Sequence, residues 1–251
     1  MSKPKLDLDD LNDLVDVAVQ SFWGVRSSQG KKQGRKSGKS DRGGRKSVTA
    51  GKHLDGVVDM IRIVVERHCP SMAVHVQAWS QDPSTMLPGF FRPTKYWDVV
   101  VKHGDRLAAV IELKSHVGSF GNNYNNRCEE AIGTGYDMKV AYREKMFHDS
   151  PPPWVGFWML LQDCDASTKA KGAPKLSHFD VDPMFDGASY AKRYEVTLER
   201  LVHDRLYQNA CLILSDIEGK QVNWREPNAS MSVRSFVGGL IGHLIGFEAS
   251  A

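Results

Sequence analysis

The stretch from Trp97 to Ser115, WDVVVKHGDRLAAVIELKS, constrains the fold more than any other part of the sequence. Two runs of β-branched and other apolar residues flank a Gly-Asp pair, which is typical of two antiparallel strands joined by a tight turn. We place the centre of that turn near Asp105. The stretch therefore predicts a β-hairpin within a larger sheet.

Polar residues interrupt this apolar hairpin at only a few positions. Alternate residues of a strand share a face, so Trp97 is expected to point to the same side as Val99, and Asp98 to the opposite side. Glu112 and Lys114 likewise share a face of the second strand. If the turn is placed correctly, Asp98 lies opposite Glu112, with side chains about 5 Å apart.

Two carboxylates at that distance repel each other by roughly 3 kcal/mol at an effective dielectric near 20. A divalent cation removes the conflict, and Mg²⁺ prefers carboxylates while keeping several waters. The backbone carbonyl of Leu113 is a further candidate ligand. Lys114 would then orient a water or stabilise charge on a phosphate. The alternative is an ordinary salt bridge on a solvent-facing sheet, which the flanking apolar residues disfavour.

A concentrated basic segment runs from Gly24 to Lys52 and holds ten Lys or Arg residues against one acid, Asp41. Blocks of this kind commonly bind polyanions. Its Gly and Ser content argues against a helix or a buried strand, so we expect it to order against a partner. A solvated linker is the alternative. The candidate polyanion-binding residues in this segment are Lys31, Lys32, Arg35, Lys36, Lys39, Arg42, Arg45, Lys46 and Lys52.

The rest of the chain mixes helical and strand patterns, which predicts an α/β fold with a mixed central sheet flanked by helices. A loop rich in Gly and Asn is expected after Ser115, turning into a helix near Arg127. A second loop, rich in Pro and Gly, is expected just before the hairpin. We predict helices over 6–23, 52–67, 193–208 and the C-terminal stretch, and strands over 73–79, 154–162 and 210–216.

Several classes of protein are disfavoured by the sequence. It has no apolar run of 18 residues and no N-terminal signal-peptide pattern, so neither a membrane partner nor secretion is expected. The four cysteines are widely spaced, which indicates neither a disulfide framework nor a zinc site, and a cytoplasmic location is the default. The nine histidines form no metal-binding grouping, and no phosphate-binding loop of a motor ATPase is present.

Asp98 followed by Glu112-Leu113-Lys114 resembles the signature of PD-(D/E)XK nucleases. Together, WDVVVKHGDRLAAVIELKS, GSFGNNYNNRCEEAIG and GKSDRGGRKSVTAGKHLDG resemble the XhoI family of type II restriction endonucleases. One departure is Trp97, which stands where the superfamily pattern has Pro. The resemblance implies a single endonuclease domain over 1–251 with a restriction-endonuclease-like core and a DNA-contact segment at 24–52.

The same resemblance implies a homodimer that uses Mg²⁺ to cut both strands of double-stranded DNA. Its target would be the palindrome CTCGAG, cut to leave a 5′ overhang, and a cognate DNA methyltransferase would be its functional partner without stable contact. By motif, Asp98 and Glu112 are metal ligands and Lys114 is the catalytic lysine. A repair or recombination nuclease without sequence preference, and a DNA-binding protein without catalysis, remain the alternatives.

The Asn-rich stretch after the hairpin supplies further candidate DNA contacts. Asn can bind adenine and Arg can bind guanine through two hydrogen bonds each. The alternative is that these residues only provide turn conformations and a helix cap. The candidates, for bases or phosphates, are Asn122, Asn123, Asn125, Asn126 and Arg127.

Two further questions stay open in the sequence. The superfamily often adds an acid from the helix before the hairpin, and Asp55, Asp59 and Glu66 are candidates, although each also suits a solvated helix face. The final helix carries glycines at every fourth position. These would allow close packing in a dimer, with Phe236, Leu240 and Leu244 beside them, or the helix would simply cover its own sheet.

Overall fold

The computed structural model describes residues 6–34, 52–77, 82–172, 176 and 178–250. The strands are β1 Ala73–Val76, β2 Met86–Pro88, β3 Thr94–Tyr96, β4 Val99–His103, β5 Arg106–His116, β6 Trp154–Gln162, β7 Asn209–Glu218 and β8 Gln221–Arg225. The helices are α1 Leu11–Gly34, α2 Asp55–His68, α3 Phe120–Arg143, α4 Asp165–Thr168, α5 Tyr190–His203 and α6 Val233–Ala249.

Six of these strands form one mixed sheet in the order β1-β4-β5-β6-β7-β8. The pairs β5–β6 and β6–β7 are parallel, and the pairs β1–β4, β4–β5 and β7–β8 are antiparallel. Strand β6 is buried along nearly its whole length, as its continuous apolar sequence predicts for a central strand covered on both faces. Strands β2 and β3 form a separate antiparallel ribbon.

Helices cover both faces of the six-stranded sheet. Apolar residues of α1, α2 and α6 pack on one face, together with Val99, Ile111 and Leu113 of the hairpin. Residues of α3 and α5 pack on the other, together with Val100 and Val110. The predicted α/β class, with a mixed central sheet between helices, is confirmed. Within the described part of the chain, no helix is both long and apolar enough to cross a membrane.

The structure corrects the prediction that the basic segment contains no helix. Helix α1 does not end at residue 23 but continues to Gly34. A glycine within a helix costs only about 1 kcal/mol relative to alanine, and the Ser, Gln, Lys and Arg residues between the glycines are compatible with a helix. Lys31 and Lys32 therefore lie on α1, whereas residues 35–51 lie outside the described part of the chain.

Helix α3 begins at Phe120, so the predicted loop up to residue 126 is wrong. Ser119 precedes it in the left-handed region, with φ of 49°. Phe120 is buried against His116 and Tyr190, and Tyr124 packs edge-on to Tyr194 of α5. This packing outweighs the weak helix propensity of the intervening Asn and Gly residues.

Other boundaries also differ from the prediction. Helix α5 ends at His203, whereas the apolar pattern to residue 208 reflects two further buried residues, Leu206 and Tyr207, in the connection to β7. Strand β1 ends at Val76, and the edge strand β8, with its alternating exposed and half-buried residues, was not predicted.

Helix α6 covers its own sheet. Phe236, Leu240 and Leu244 are almost completely buried in the core, which confirms the second of the two alternatives for this helix. A Cβ atom added to Gly238, Gly242 or Gly246 would meet nothing within 4 Å. The predicted helix is confirmed, and its apolar face is occupied within the subunit.

Candidate active site

The turn of the β4–β5 hairpin contains two residues, Gly104 and Asp105, and Gly104 adopts the positive φ of 59° that such a turn requires. Next to the turn, His103 pairs with Arg106. The register then shifts by one residue, because Ala108 is an extra residue in β5. Both Ala108 and the following alanine pack into the same core, as expected at a bulge.

This bulge decides which side chains meet at the far end of the hairpin. Without it, the register at the turn would set Asp98 opposite Ile111 and turn Glu112 to the other face. With it, Val99 pairs with Ile111, and the register continued by one residue sets Asp98 opposite Glu112, as predicted. His243 of α6 donates from Nε2 to the carbonyl of Ala108 at 3.1 Å and so supports the bulge.

Trp97 does not share the face of Val99, contrary to the alternation predicted. It is buried with Val100 on the side covered by α3 and α5. The reason is that the paired strand begins only at Val99 and the chain bends at Asp98, so the two-residue period does not extend back to Trp97.

The two carboxylates of the site have different partners. Asp98 accepts a hydrogen bond on Oδ2 from the backbone N–H of Leu113 at 2.7 Å. The N–H and C=O of one strand residue point to the same edge, so the carbonyl of Leu113 also faces the Asp98 side. Glu112 accepts from Lys114 Nζ on Oε1 and from Lys95 Nζ on Oε2, the latter at 2.6 Å.

Burial and charge shift the pKa values of these groups in opposite directions. Burial, and then the charge of Glu112, raise the pKa of Asp98 to about 6. Burial also opposes the charged form of Glu112, but Lys114 and Lys95 outweigh it and hold its pKa below the usual value. Burial would lower the pKa of Lys114, yet Glu112 and Asp98 keep it above its usual value. Lys114 is therefore held as an ammonium, and Asp98 binds a proton more readily than Glu112 does.

We expect Asp98→Asn to stabilise the metal-free protein at pH 7 by roughly 1–3 kcal/mol, because the folded pKa near 6 exceeds the ordinary 3.8. A raised folded pKa favours the protonated form. The contribution of Asp98 is therefore most favourable below pH 3.8 and is lost as the pH rises through 6. Thermal melts in EDTA at pH 4 and pH 7 measure the effect. A gain at pH 7 that shrinks at pH 4 is expected, and an equal gain at both would contradict it.

Lys95 is a member of this cluster that the sequence did not single out. It lies on β3, in a segment interpreted as a loop rich in Pro and Gly. Two features of the sequence could have identified it: Lys95 stands three residues before Asp98, and the Thr and Tyr on either side of it favour a β-strand. The segment before it is held by Asp137 of α3, which accepts hydrogen bonds from the backbone N–H groups of Phe90 and Phe91 and from Arg92 Nε at 2.7–2.9 Å.

The donor set at the hairpin suits a hard divalent cation. Two carboxylates and the Leu113 carbonyl offer oxygen ligands, and a site with so few protein ligands leaves positions for waters and phosphate oxygens. Within the described ranges, no third His, Cys, Asp or Glu joins the pair in a group that could hold a metal.

The three candidate helix acids do not complete such a group. Asp59 and Glu66 form ion pairs with Arg62 of the same helix at 3.3 and 3.9 Å. Asp55 is the first residue of α2.

Helix α3 passes near this cluster at Glu130, whose charge contributes to the raised pKa of Lys114. Asn122, Asn125 and Asn126 are exposed on the first turns of the helix. Asn123 and Arg127 are half-buried, and Arg127 forms an ion pair with Glu130 at 2.6 Å.

The candidates of the basic segment fall in three places. Lys31 and Lys32 are on α1, and Lys52 begins a short 3-10 turn before α2. The remaining candidates, Arg35, Lys36, Lys39, Arg42, Arg45 and Lys46, lie outside the described residues.

A mixed sheet between helices, with Asp98 and a Glu-x-Lys sequence paired on one hairpin, defines the PD-(D/E)XK class of nucleases. Residues 32–225 match the family described as restriction endonuclease XhoI. The chain belongs to the XhoI family of type II restriction endonucleases, which are site-specific DNA hydrolases acting on double-stranded DNA. Enzymes of this type generally need divalent metal ions.

Curated relatives agree with this assignment. The type II restriction enzyme BstVI of Geobacillus stearothermophilus is 45% identical over 215 residues, covering 83% of this chain and 93% of that protein. The type II restriction enzyme XhoI of Xanthomonas vasicola is 43% identical over 199 residues, covering 78% and 77%. No solved structure matches.

Proposed function

We propose that this enzyme uses Mg²⁺ to cut both strands of DNA at the palindrome CTCGAG, leaving a 5′ overhang. Asp98, Glu112 and the carbonyl of Leu113 hold the metal, and Lys114 is the catalytic lysine. The observation that carries the proposal is the proximity of Asp98, Glu112 and Lys114 at the end of the β4–β5 hairpin, in a chain whose relatives are type II restriction enzymes.

The residues of the site divide the work of phosphodiester hydrolysis. A bound divalent ion supplies charge neutralisation at the phosphate. The ammonium of Lys114 stays protonated because two carboxylates neighbour it, so it can orient a water or stabilise the charge that develops on the phosphate. The hydrogen bond from Leu113 N–H to Asp98 Oδ2 fixes that carboxylate relative to Glu112.

The DNA contacts that we propose have different roles. Exposed Asn122, Asn125 and Asn126, with Asn123 and Arg127, suit bases or phosphates near the cleavage site. The basic segment at 24–52 suits the phosphate backbone, which positions a protein without reading sequence. We infer a single endonuclease domain over 1–251 that works in the cytoplasm alongside a cognate DNA methyltransferase, without stable contact between the two.

Digestion of a mapped plasmid tests the proposed function. With Mg²⁺ we expect discrete fragments that end at CTCGAG, and none with EDTA. A matched plasmid in which each CTCGAG is changed by one base pair should stay intact. A smear of fragments would support a nuclease without sequence preference, and intact plasmid with retained binding would support a DNA-binding protein.

We also propose a homodimer, because one active site cuts one strand and a palindrome presents two equivalent strands. The apolar face of α6 is used within the subunit, so Phe236, Leu240 and Leu244 do not take part in the interface. Sedimentation at micromolar protein, with and without a CTCGAG duplex, should give twice the mass of one chain in at least the DNA-bound sample. A monomer in both samples would contradict the dimer.

A further inference from the structure

Both oxygens of Glu112 are engaged by lysines from different elements. Lys114 comes from the same strand, whereas Lys95 comes from the separate β2–β3 ribbon and donates to Oε2 at 2.6 Å. Glu112 is 4% exposed, and the side chain of Lys95 is 13% exposed. The oxygen that Lys95 occupies is one that a divalent ion on Glu112 would compete for.

The charges of the cluster sum to zero when all four groups are ionised. Asp98 and Glu112 carry two negative charges, and Lys95 and Lys114 carry two positive charges. A neutral cluster attracts a dication much less than a pair of carboxylates with one lysine does. A bound phosphate adds negative charge, which changes this balance in favour of the dication.

Lys95 can leave Glu112 without losing all its partners. Its ammonium also donates to the carbonyl of Tyr96 at 2.9 Å and lies over the ring of Trp97, 4.6 Å from the centroid. Both partners are within two residues along the chain, so they remain close to Lys95 whichever anion it binds. A phosphate oxygen would replace the carboxylate as a charge-assisted acceptor.

We propose that Lys95 is a displaceable counter-ion. It occupies Glu112 in the DNA-free enzyme, transfers to a phosphate of bound DNA, and thereby links uptake of the divalent ion to the presence of substrate. This inference rests on the proposed role of Glu112 as a metal ligand. Trp97, which stands where the superfamily pattern has Pro, contributes to this role because its ring makes a cation–π contact with the Lys95 ammonium.

The first half of the proposal is that Lys95 competes with the divalent ion for Glu112 in the absence of DNA. It is tested by titrating Mn²⁺ into the full chain without DNA and measuring the unbound Mn²⁺ by its electron paramagnetic resonance signal. Lys95→Met should bind Mn²⁺ at least roughly tenfold more tightly than the wild type. The substitution removes the repulsion between the Lys95 ammonium and the dication, which is worth more than about tenfold in affinity even at the dielectric constant of water. Lys95→Arg keeps the charge and should bind as weakly as the wild type. Damage to the fold would weaken binding, so a gain in affinity separates the two causes.

The second half of the proposal is that Lys95 transfers to a phosphate of bound DNA. It is tested by measuring the affinity for a CTCGAG duplex in EDTA at several salt concentrations. Loss of one phosphate contact should reduce the slope of log affinity against log salt by about one in Lys95→Met. Lys102→Met, on the same hairpin but near its turn, is the matched control and should change neither measurement. If Lys95→Met does not fold, as judged by thermal melting, Lys95→Gln carries the same two expectations.

The outcomes separate this inference from the proposed function. Unchanged or weaker Mn²⁺ binding in Lys95→Met, or an unchanged salt slope, would overturn the role of Lys95. Mn²⁺ binding that Glu112→Gln fails to weaken, in the Lys95→Met background, would instead overturn Glu112 as a metal ligand.

Discussion

Lys114→Ala, Asp98→Ala and Glu112→Ala are each expected to reduce cleavage by roughly 10³-fold or more while leaving specific DNA binding largely intact. Removing a single group that stabilises transition-state charge costs about 10²–10³ in rate, and loss of a metal ligand adds to that. Loss of either carboxylate also removes negative charge near the phosphate, so metal-free binding of Asp98→Ala and Glu112→Ala should be equal or tighter.

The contacts of Glu112 determine which substitution isolates the chemistry. Alanine at this position would leave two largely buried ammonium groups without their shared acceptor, and such an uncompensated charge destabilises the fold. Glu112→Gln keeps the shape and one acceptor oxygen, so it is the cleaner variant. Single-turnover cleavage of a CTCGAG duplex, with metal-free gel shifts and Lys102→Ala as control, measures the effect. Full activity in any one of the three positions would contradict its assignment.

DNA binding should depend steeply on salt, with much of that dependence due to the basic segment at 24–52. If the complex makes 6 to 10 phosphate contacts, its affinity should fall on the order of 10³ to 10⁵ between 50 and 200 mM salt. Replacing Lys31, Lys32, Arg35 and Lys36 with Gln should flatten the slope by roughly one unit per lost contact. The continuation of α1 through Lys31 and Lys32 attaches the start of this segment to the folded body.

Fluorescence anisotropy of a labelled duplex at several salt concentrations measures the slope. The control replaces the same number of cations with Gln on the body of the protein, at Lys169, Lys171, Lys192 and Lys220, and should leave the slope nearly unchanged. Equal slopes for the segment variant and the wild type would make the segment a solvated linker.

The hairpin and the buried strands were predictable because they depend on local patterns. Long apolar runs identify β6 and β7, and the Gly-Asp turn between apolar runs identifies β4 and β5. Asp98, Glu112 and Lys114 could be grouped from that hairpin together with the family motif. The sequence therefore predicted the part of the site that lies within a single supersecondary unit.

The rest of the site depends on contacts between distant segments. Lys95 reaches Glu112 from the β2–β3 ribbon, and the connection between β2 and β3 is hydrogen-bonded to Asp137 of α3, 45 residues away from Arg92 in sequence. The early start of α3 depends on aromatic packing against α5. Neither contact leaves a periodic pattern along the chain, which is why neither was predicted.

The extra residue at Ala108 determines whether the spacing between the two carboxylates, Asp98 and Glu112, is odd or even. In an uninterrupted hairpin with a two-residue turn, facing residues have numbers that add up to an odd total, as for His103 and Arg106, but Asp98 and Glu112 add up to an even one. One residue must therefore be gained or lost somewhere between them. A homologue could place it in the turn instead. In an alignment of such sequences, a gap at Ala108 and an insertion at Asp105 would together record one compensated change, and each alone would separate the carboxylates.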